Sequence, residues 1–259
     1  MGTAKSQGEI WSVRARDWAE IQECVAMPVY ESVLNQTKVS AGMSVLDIGC
    51  GSGLFCSLAA QRGAIVSGMD ASDSLIEIAK ERVPAGDFST GEMEELPYPD
   101  KSFDIVAGFN SFQFAANPVN ALLEASRVSK SGRVIIAVFA KPEESGSTAY
   151  IKALGSLLPP PPPGSPGPFA LSGEGALEKF ASQAGLKPII HETVACPWNY
   201  ADDATALRGL LSSGPAIRAI QMKGEDVVKE HILKTLGQFR LKDGTYSISN
   251  YFQYIIVGR

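Results

Sequence analysis

The run Val45-Leu46-Asp47-Ile48-Gly49-Cys50-Gly51-Ser52-Gly53 sets a short apolar strand, Ser44–Ile48, directly against three alternating glycines. Leu54, Phe55, Leu58 and Ala59 then recur at helical spacing. Strand, glycine turn and helix in immediate succession leave few folds open. Glycine permits the sharp turn and lets a ligand approach the backbone closely. The helix opens with unpaired N–H groups that favour negative charge.

The same alternation continues downstream. Ala64–Met69 reads as a second strand ending at Asp70, and Ser72–Arg82 as a helix with Leu75, Ile78 and Ala79 on one face. Gly86-Asp87-Phe88 marks a short third strand or its end. Phe103–Phe109 is a fourth strand followed by Asn110, Val119–Val128 a helix, and Gly132–Phe139 a fifth strand apolar enough to be buried on both faces. Strands alternating with helices predict a parallel α/β sheet with right-handed crossovers and ligands at the carboxyl ends of the strands. Asp47, Asp70, Asp87 and Asn110 are all expected at such ends.

The flanks differ. Residues 9–35 read as one or two amphipathic helices broken near Pro28, able to cover an opening on the core. Seven of the sixteen prolines fall in residues 159–168, five of them consecutive at Pro159–Pro163, which predicts an extended polyproline II segment. Ala149–Leu158 is a short helix before it. A helix from Gly173 to Ala184, capped by Ser172, leads to a sixth strand at Leu186–Val194. Two helices follow, Ala201–Ser213 and Asp226–Gly237. Thr245–Gly258 closes the chain as strand, rich in aromatic and β-branched residues. One of the late strands should run antiparallel. The expected organisation is a helical cover over 1–40 and a core over 41–259, with inserts at 141–172 and 197–247 forming the acceptor side.

Composition excludes several partners. Twenty-three basic against 28 acidic residues give a net charge of −5, and no stretch gathers the basic ones into a phosphate-tracking stripe, so no nucleic-acid partner is expected. Cys24, Cys50, Cys56 and Cys196 form no CxxC pair and only two histidines are present, so no metal site is expected. The longest apolar run, Val134–Ala140, is far short of the roughly 20 residues of a membrane span. Met1–Gly8 has no apolar segment behind it. These features predict a cytoplasmic protein, monomeric or homodimeric, acting on a small molecule.

The glycine loop also speaks to ligand chemistry. Dinucleotide sites use G-x-G-x-x-G. Here the third glycine arrives one position early, and Leu54 stands where that pattern has glycine. A carboxylate at Asp47 would repel a pyrophosphate and suit an ammonium group, which favours a nucleotide-like ligand bearing an amino acid. Asp70 can accept both hydroxyls of a ribose, or stand as a solvated strand end. Asp87 can accept from an adenine amine while Phe88 offers a ring face. Asn110, Ser111 and Phe112 are expected beneath the ligand.

VLDIGCGSG (Val45–Gly53), Asp70, the GDF triplet (Gly86–Phe88), LPYPDKSFDIV (Leu96–Val106) and SGRVIIAVF (Ser131–Phe139) together resemble the class I S-adenosylmethionine-dependent methyltransferases, and among them the branch that includes ubiquinone and menaquinone C-methyltransferases. The resemblance covers residues 45–140. It implies a Rossmann-like seven-stranded, mostly parallel sheet of order 3-2-1-4-5-7-6 with the last strand antiparallel, and S-adenosyl-L-methionine as cofactor. It places Asp47 and Gly49 beside the methionine moiety, Asp70 on ribose, Asp87 and Phe88 at adenine, and Asn110 under the sulfonium. Cys50, Gly51, Gly53, Ala71 and Ser111 complete the expected cofactor set. The polyproline segment is no feature of the family.

Methyl transfer from a sulfonium is an in-line displacement, so alignment and exclusion of water matter more than a catalytic triad. A general base is needed only if the acceptor must first lose a proton. His231 and His191 are the candidates for that role, though either could as well be a packing residue. Trp11, Tyr30, Phe112, Trp198, Tyr200 and Tyr246 are candidates for lining a fairly apolar acceptor pocket. The other classes considered are a methyltransferase-like binding module without turnover and an NAD(P)-binding oxidoreductase.

Overall fold

The computed structural model describes residues 2–160 and 167–259; Pro161, Pro162 and Pro163 of the expected polyproline stretch lie outside them. The chain begins with α1 (Ala4–Trp11), α2 (Ala15–Asp17), a π turn at Trp18–Gln22, a 3₁₀ turn at Glu23–Ala26 and α3 (Met27–Gln36). Pro28 occupies the first turn of α3, where its missing N–H leaves no bond unmade. It therefore starts a helix instead of breaking one, and the irregular backbone lies before it.

The core runs β1 (Ser44–Ile48), α4 (Leu54–Gln61), β2 (Ile65–Asp70), α5 (Asp73–Arg82), β3 (Asp87–Thr90), β4 (Ile105–Phe109), α6 (Pro118–Val128) and β5 (Val134–Phe139). There follow α7 (Ser147–Gly155), α8 (Ala176–Gln183), β6 (Lys187–Ala195), β7 (Trp198–Tyr200), α9 (Asp203–Leu211), α10 (Gly214–Lys223), α11 (Glu225–Leu236), β8 (Tyr246–Ile248) and β9 (Tyr251–Gly258). Seven strands form one sheet in the order β3-β2-β1-β4-β5-β9-β6, and β7 pairs with β8 separately. The first five strands pair in parallel, while β9 lies antiparallel between β5 and β6. This is the expected Rossmann-like seven-stranded order, with β9 as the seventh strand of the sheet in chain order, set between β5 and β6.

Alternation along β1 divides the core. Val45 joins Phe55, Phe88, Phe109 and Tyr254 on the face covered by α3 and α4, and Leu46 and Ile48 join Val106, Ile136 and Phe180 on the other. Each such fully buried side chain contributes about 1.5–3 kcal/mol through apolar burial. A third cluster, including Tyr150, Trp198, Leu210, Ile232 and Ile248, is built from the late helices and the β7–β8 ribbon.

Capping explains where the late helices depart from expectation. Asp202 accepts the Thr205 N–H and starts α9, whereas Ser213 accepts the Ala216 N–H and starts α10. The insert thus holds three helices, and Ser213 opens the second instead of ending the first. The α8 helix begins after left-handed Gly175 and not at Ser172. At β3, Asp87 pairs across from Ser67 and Thr90 from Asp70. Asp87 therefore stands at the amino end of its strand, away from the ligand edge, which corrects its expected placement.

Candidate cofactor and acceptor site

Gly49, Gly51 and Gly53 all adopt left-handed backbone, with φ of +76°, +54° and +78°. A Cβ on Gly49 would lie 2.4 Å from the Ser111 Cβ, so only glycine lets β1 turn this close to the β4 loop. The turn delivers Gly49 and Gly51 to the wall of a cavity above the sheet, together with Asp70, Ala71, Asn110 and Ser111. Cys50, Gly53 and Asp47 are not among its lining residues and stand behind the loop.

The amides of this turn are not free. The Gly49 and Cys50 N–H groups donate to the Met69 carbonyl (2.7 and 3.0 Å), and the Gly51 N–H donates to Asp70 Oδ2 (2.9 Å). The Ser52 N–H donates to Glu23 Oε1 (2.9 Å), and the Ser52 hydroxyl donates to the same carboxylate. The anion that the start of α4 attracts is thus a side chain of the chain's own N-terminal segment. Arg82 completes the arrangement by donating to Glu23, to the Ser52 carbonyl and to the Ala19 carbonyl. Glu23 is 3% exposed, and burial raises its pKa while Arg82 and Ser52 pull it back.

Acidity dominates this end of the cavity. Asp47 is buried with Oδ1 unpartnered, and burial together with the charges of Glu23 and Asp70 pushes its pKa well up. Asp70 is pushed up by burial and drawn down by the N–H groups of Ser72, Gly51 and Ala71. Its Oδ1 accepts from the Ser72 N–H at 2.9 Å, and each oxygen keeps a further lone pair. A pyrophosphate would meet these carboxylates unfavourably, while an ammonium or sulfonium would relieve them. The donor set therefore fits S-adenosylmethionine and not a nicotinamide dinucleotide.

The third acidic position is Glu92, not Asp87. Gly91, Glu92 and Met93 follow the carboxyl end of β3 and line the cavity, whereas Asp87 is exposed and Phe88 is packed in the core. Reading Asp87 as the first residue of β3, and not as its end, would have pointed to Glu92 in the sequence. Glu92 Oε2 accepts the Ala4 N–H (3.1 Å), and the Thr3 hydroxyl donates to the Phe114 carbonyl (2.6 Å). Ser12 and Ser72 hydroxyls meet at 2.8 Å. The N-terminal segment is thereby tied to the ends of β1, β2 and β3, through Glu23, Ser72 and Glu92 respectively.

The remaining wall is mostly apolar. Trp11 and Trp18 meet edge to face with centroids 4.9 Å apart, and both line the cavity, as do Tyr30, Phe139, Tyr150 and Trp198. Three expected pocket residues lie elsewhere. Phe112 is packed between the sheet and α8. Tyr200 is buried and donates to Gln22 Oε1 (2.8 Å), and Tyr246 donates to Asp203 Oδ1 (2.6 Å). Each aromatic ring found a core to fill. Neither histidine lines the cavity: His191 sits on edge strand β6 against Glu178 (2.8 Å) and Gln253 (3.2 Å), and His231 is half-buried on α11. Glu23, Glu92, Met93, Gln113 and Trp18 are lining residues that sequence reasoning missed. Glu23 and Gln113 carry no motif, and only the fold brings them in.

Such a fold and loop define an α/β methyltransferase architecture. Residues 46–137 match the family profile described as a methyltransferase domain. A demethylmenaquinone methyltransferase of Tropheryma whipplei is 34% identical over 124 residues, 47% of this chain and 52% of that protein. The chain spans about half the length of the curated relatives it matches. A putative methyltransferase of Bacillus halodurans superposes with a TM-score of 0.60 at 14% identity, covering 88% of this chain and 97% of that one. The [4+2]-cyclase SpnF superposes at 0.55 with 20% identity, covering 89% and 79%. At such identities the superpositions establish fold alone. Over residues 46–137 the chain thus matches the methyltransferase domain, and across that part it is similar to curated methyltransferases of menaquinone and ubiquinone biosynthesis.

Proposed function

We propose that the chain transfers the methyl group of S-adenosylmethionine to a small, fairly apolar organic acceptor, releasing S-adenosylhomocysteine. The observation that carries this reading is one cavity whose acidic, glycine-built end passes directly into an aromatic wall. When bound, S-adenosylmethionine would supply a sulfonium-activated methyl, whose carbon an acceptor nucleophile attacks in line with the C–S bond, so that the thioether S-adenosylhomocysteine leaves. Asp70 accepts the ribose hydroxyls, and Glu92 with Met93 serves the adenine side. The carboxylates of Asp47 and Glu23 favour the cationic amino-acid end.

Asn110 and Ser111 sit at the junction of the two ends. Asn110 holds a left-handed backbone (φ +50°), and its Oδ1 accepts the Phe139 N–H (3.1 Å), which fixes the β4 loop against β5. The residues of the N-terminal segment roof the cavity and exclude water, which strengthens every electrostatic contact inside. No histidine, lysine or arginine lines the cavity among the described residues. That arrangement suits an acceptor that enters with its nucleophilic atom ready, or that sheds its proton to solvent after transfer.

Calorimetric titration with S-adenosylhomocysteine tests the cofactor half of this reading, and incubation of metabolite extracts with methyl-labelled cofactor tests the rest. Saturable binding and a labelled small molecule are expected. Absence of S-adenosylhomocysteine binding to folded protein would end the proposal.

A further inference from the structure

The roof over the cavity is held in two different ways. Residues 15–26 are built into the body. Ala15, Ala19, Gln22, Glu23 and Ala26 are buried, Arg82 donates to the Ala19 carbonyl (3.0 Å), and Arg208 pairs with Asp17 and with Glu20 (2.7 Å each). Helix α1 is attached differently. Its one buried residue is Gly8, so it sinks no fully buried apolar side chain into a core. Polar clips at its ends hold it instead: the Thr3 hydroxyl on the Phe114 carbonyl (2.6 Å), the Ala4 N–H on Glu92 Oε2 (3.1 Å), and the Ser12 hydroxyl against that of Ser72 (2.8 Å). Half-buried Trp11 adds its edge-to-face contact with Trp18.

The seat of α1 is backbone on backbone. A Cβ on Gly8 would run into the Ala71 carbonyl oxygen, next to Asp70, so only glycine lets the helix lie this close. The inward residues of this segment, Thr3, Ala4, Gln7 and Trp11, line the cavity. Between the two parts of the roof the helix breaks at Arg14 (φ −131°, ψ 41°), beside exposed Val13, and the Arg14 guanidinium is tied to Glu225 (2.7 Å).

We propose that α1 is a flap: it turns as a unit about Val13-Arg14, lifts off Ala71 to admit ligand to the cavity, and seats again through Gly8, while residues 15–26 stay in place. Its clips are few and its apolar contact is small, so it opens at a fraction of the cost of global unfolding. Glu92 belongs to both sides, lining the cavity and accepting from the first turn of α1. A ligand that touches Glu92 and the inner face of α1 gains both contacts only with the flap seated, so ligand and seated flap favour each other by the same factor. That ligand is the methyl donor, an identity that rests on the methyl-transfer reading; the flap itself does not depend on it.

A helix as short as α1 does not hold in water by itself, so each opening exposes its amides to exchange. Hydrogen exchange on the intact chain, read by mass spectrometry, is the first test. Amides of residues 7–12 should exchange about tenfold faster than those of 15–26 and of α4, and saturating S-adenosylhomocysteine should slow them about fivefold. G8A raises the helix propensity of α1 but removes its seat. In that variant the amides of 7–12 should exchange about fivefold faster still, those of α4 should not change, and S-adenosylhomocysteine should dissociate about tenfold faster. S12C/S72C, on a C24S background that removes the exposed native thiol, joins the flap to the body when oxidised. Association and dissociation of S-adenosylhomocysteine should then both slow about tenfold, and dithiothreitol should restore them. Amides of 7–12 that exchange in step with 15–26, wild-type exchange in G8A, or ligand rates that the closed disulfide leaves unchanged would each overturn the flap. Failure of S-adenosylhomocysteine to bind the folded protein would overturn the methyl-transfer reading instead, and the exchange of wild type and G8A would still decide the flap.

Discussion

The two ends of the cavity are built by opposite strategies. The proposed cofactor end comes from three consecutive strand ends, where glycine backbone and carboxylates line the cavity and each position is constrained by geometry. Gly49 meets Ser111, Asp70 holds the Gly51 amide, and Glu92 caps the start of α1. The acceptor end comes from segments scattered between residues 3 and 252, where aromatic and aliphatic side chains meet only after folding. Under the proposed function, recognition there would rest mainly on shape. A wall of the first kind tolerates little change, and one of the second kind can be respecified without disturbing the sheet beneath.

The seam between the two ends is the sharpest place to break this contrast. Arg82→Met leaves the Glu23 carboxylate buried without its cation, a change that costs about 3–5 kcal/mol. Chemical denaturation should register that loss, and the N-terminal segment should become the first site of proteolysis. A variant of wild-type stability would mean that Glu23 does not join the roof to the glycine loop. Next in size, Asp70→Asn should weaken S-adenosylhomocysteine by about 1–3 kcal/mol in calorimetry, since an amide can no longer accept from the ribose at both atoms. Methyl-label incorporation at saturating cofactor should change far less. Equal losses in both measurements would erase the distinction between the ends.

The same contrast explains what could be read in the chain before its fold was known. Val45–Gly53 announces itself because a strand, a positive-φ turn and a helix each demand particular residues, and the demands coincide within a few positions. The strand order came only with the family resemblance that this run and its companion motifs carry, whereas the late strands themselves suggest one antiparallel member. Asp87 was misplaced because a four-residue strand has no internal marker of its ends, and the register with β2 is set by long-range pairing. Aromatic side chains such as Tyr200 and Tyr246 look alike in sequence whether they fill a core or line a pocket. Glu23 escaped notice because a lone glutamate in an amphipathic stretch reads as solvent-facing. Only its contact with Ser52 and Arg82, 29 and 59 residues away, shows otherwise.

A variant at the opposite edge of the sheet serves as the control. Asp104 accepts from Lys130 Nζ (2.8 Å) and from the Ser44 N–H (2.9 Å), and these contacts lower its pKa to about 2. Because the folded pKa is depressed, its contribution is whole above the unfolded value near 4 and is lost as pH falls through about 2. Asp104→Asn should cost about 1 kcal/mol at pH 7, after allowance for solvent screening. The difference from wild type should vanish in denaturation curves recorded near pH 2. Affinity for S-adenosylhomocysteine should not move, because the residue lies at the amino ends of β1 and β4.

The smallest expected effect bears on the acceptor end. His191 is engaged by Glu178 and Gln253 on the sheet's edge strand, and His231 Nδ1 lies 3.1 Å from the Val227 carbonyl on its own helix. Neither side chain lines the cavity, so neither can reach a reacting atom there. His191→Ala and His231→Ala should each change the rate of methyl-label incorporation less than twofold, with stability within about 0.5 kcal/mol of wild type. A tenfold loss of rate in either variant, with folding and S-adenosylhomocysteine affinity intact, would place a proton-transfer group at the acceptor end. That end could then no longer be described as a wall working by shape and hydrogen bonding alone.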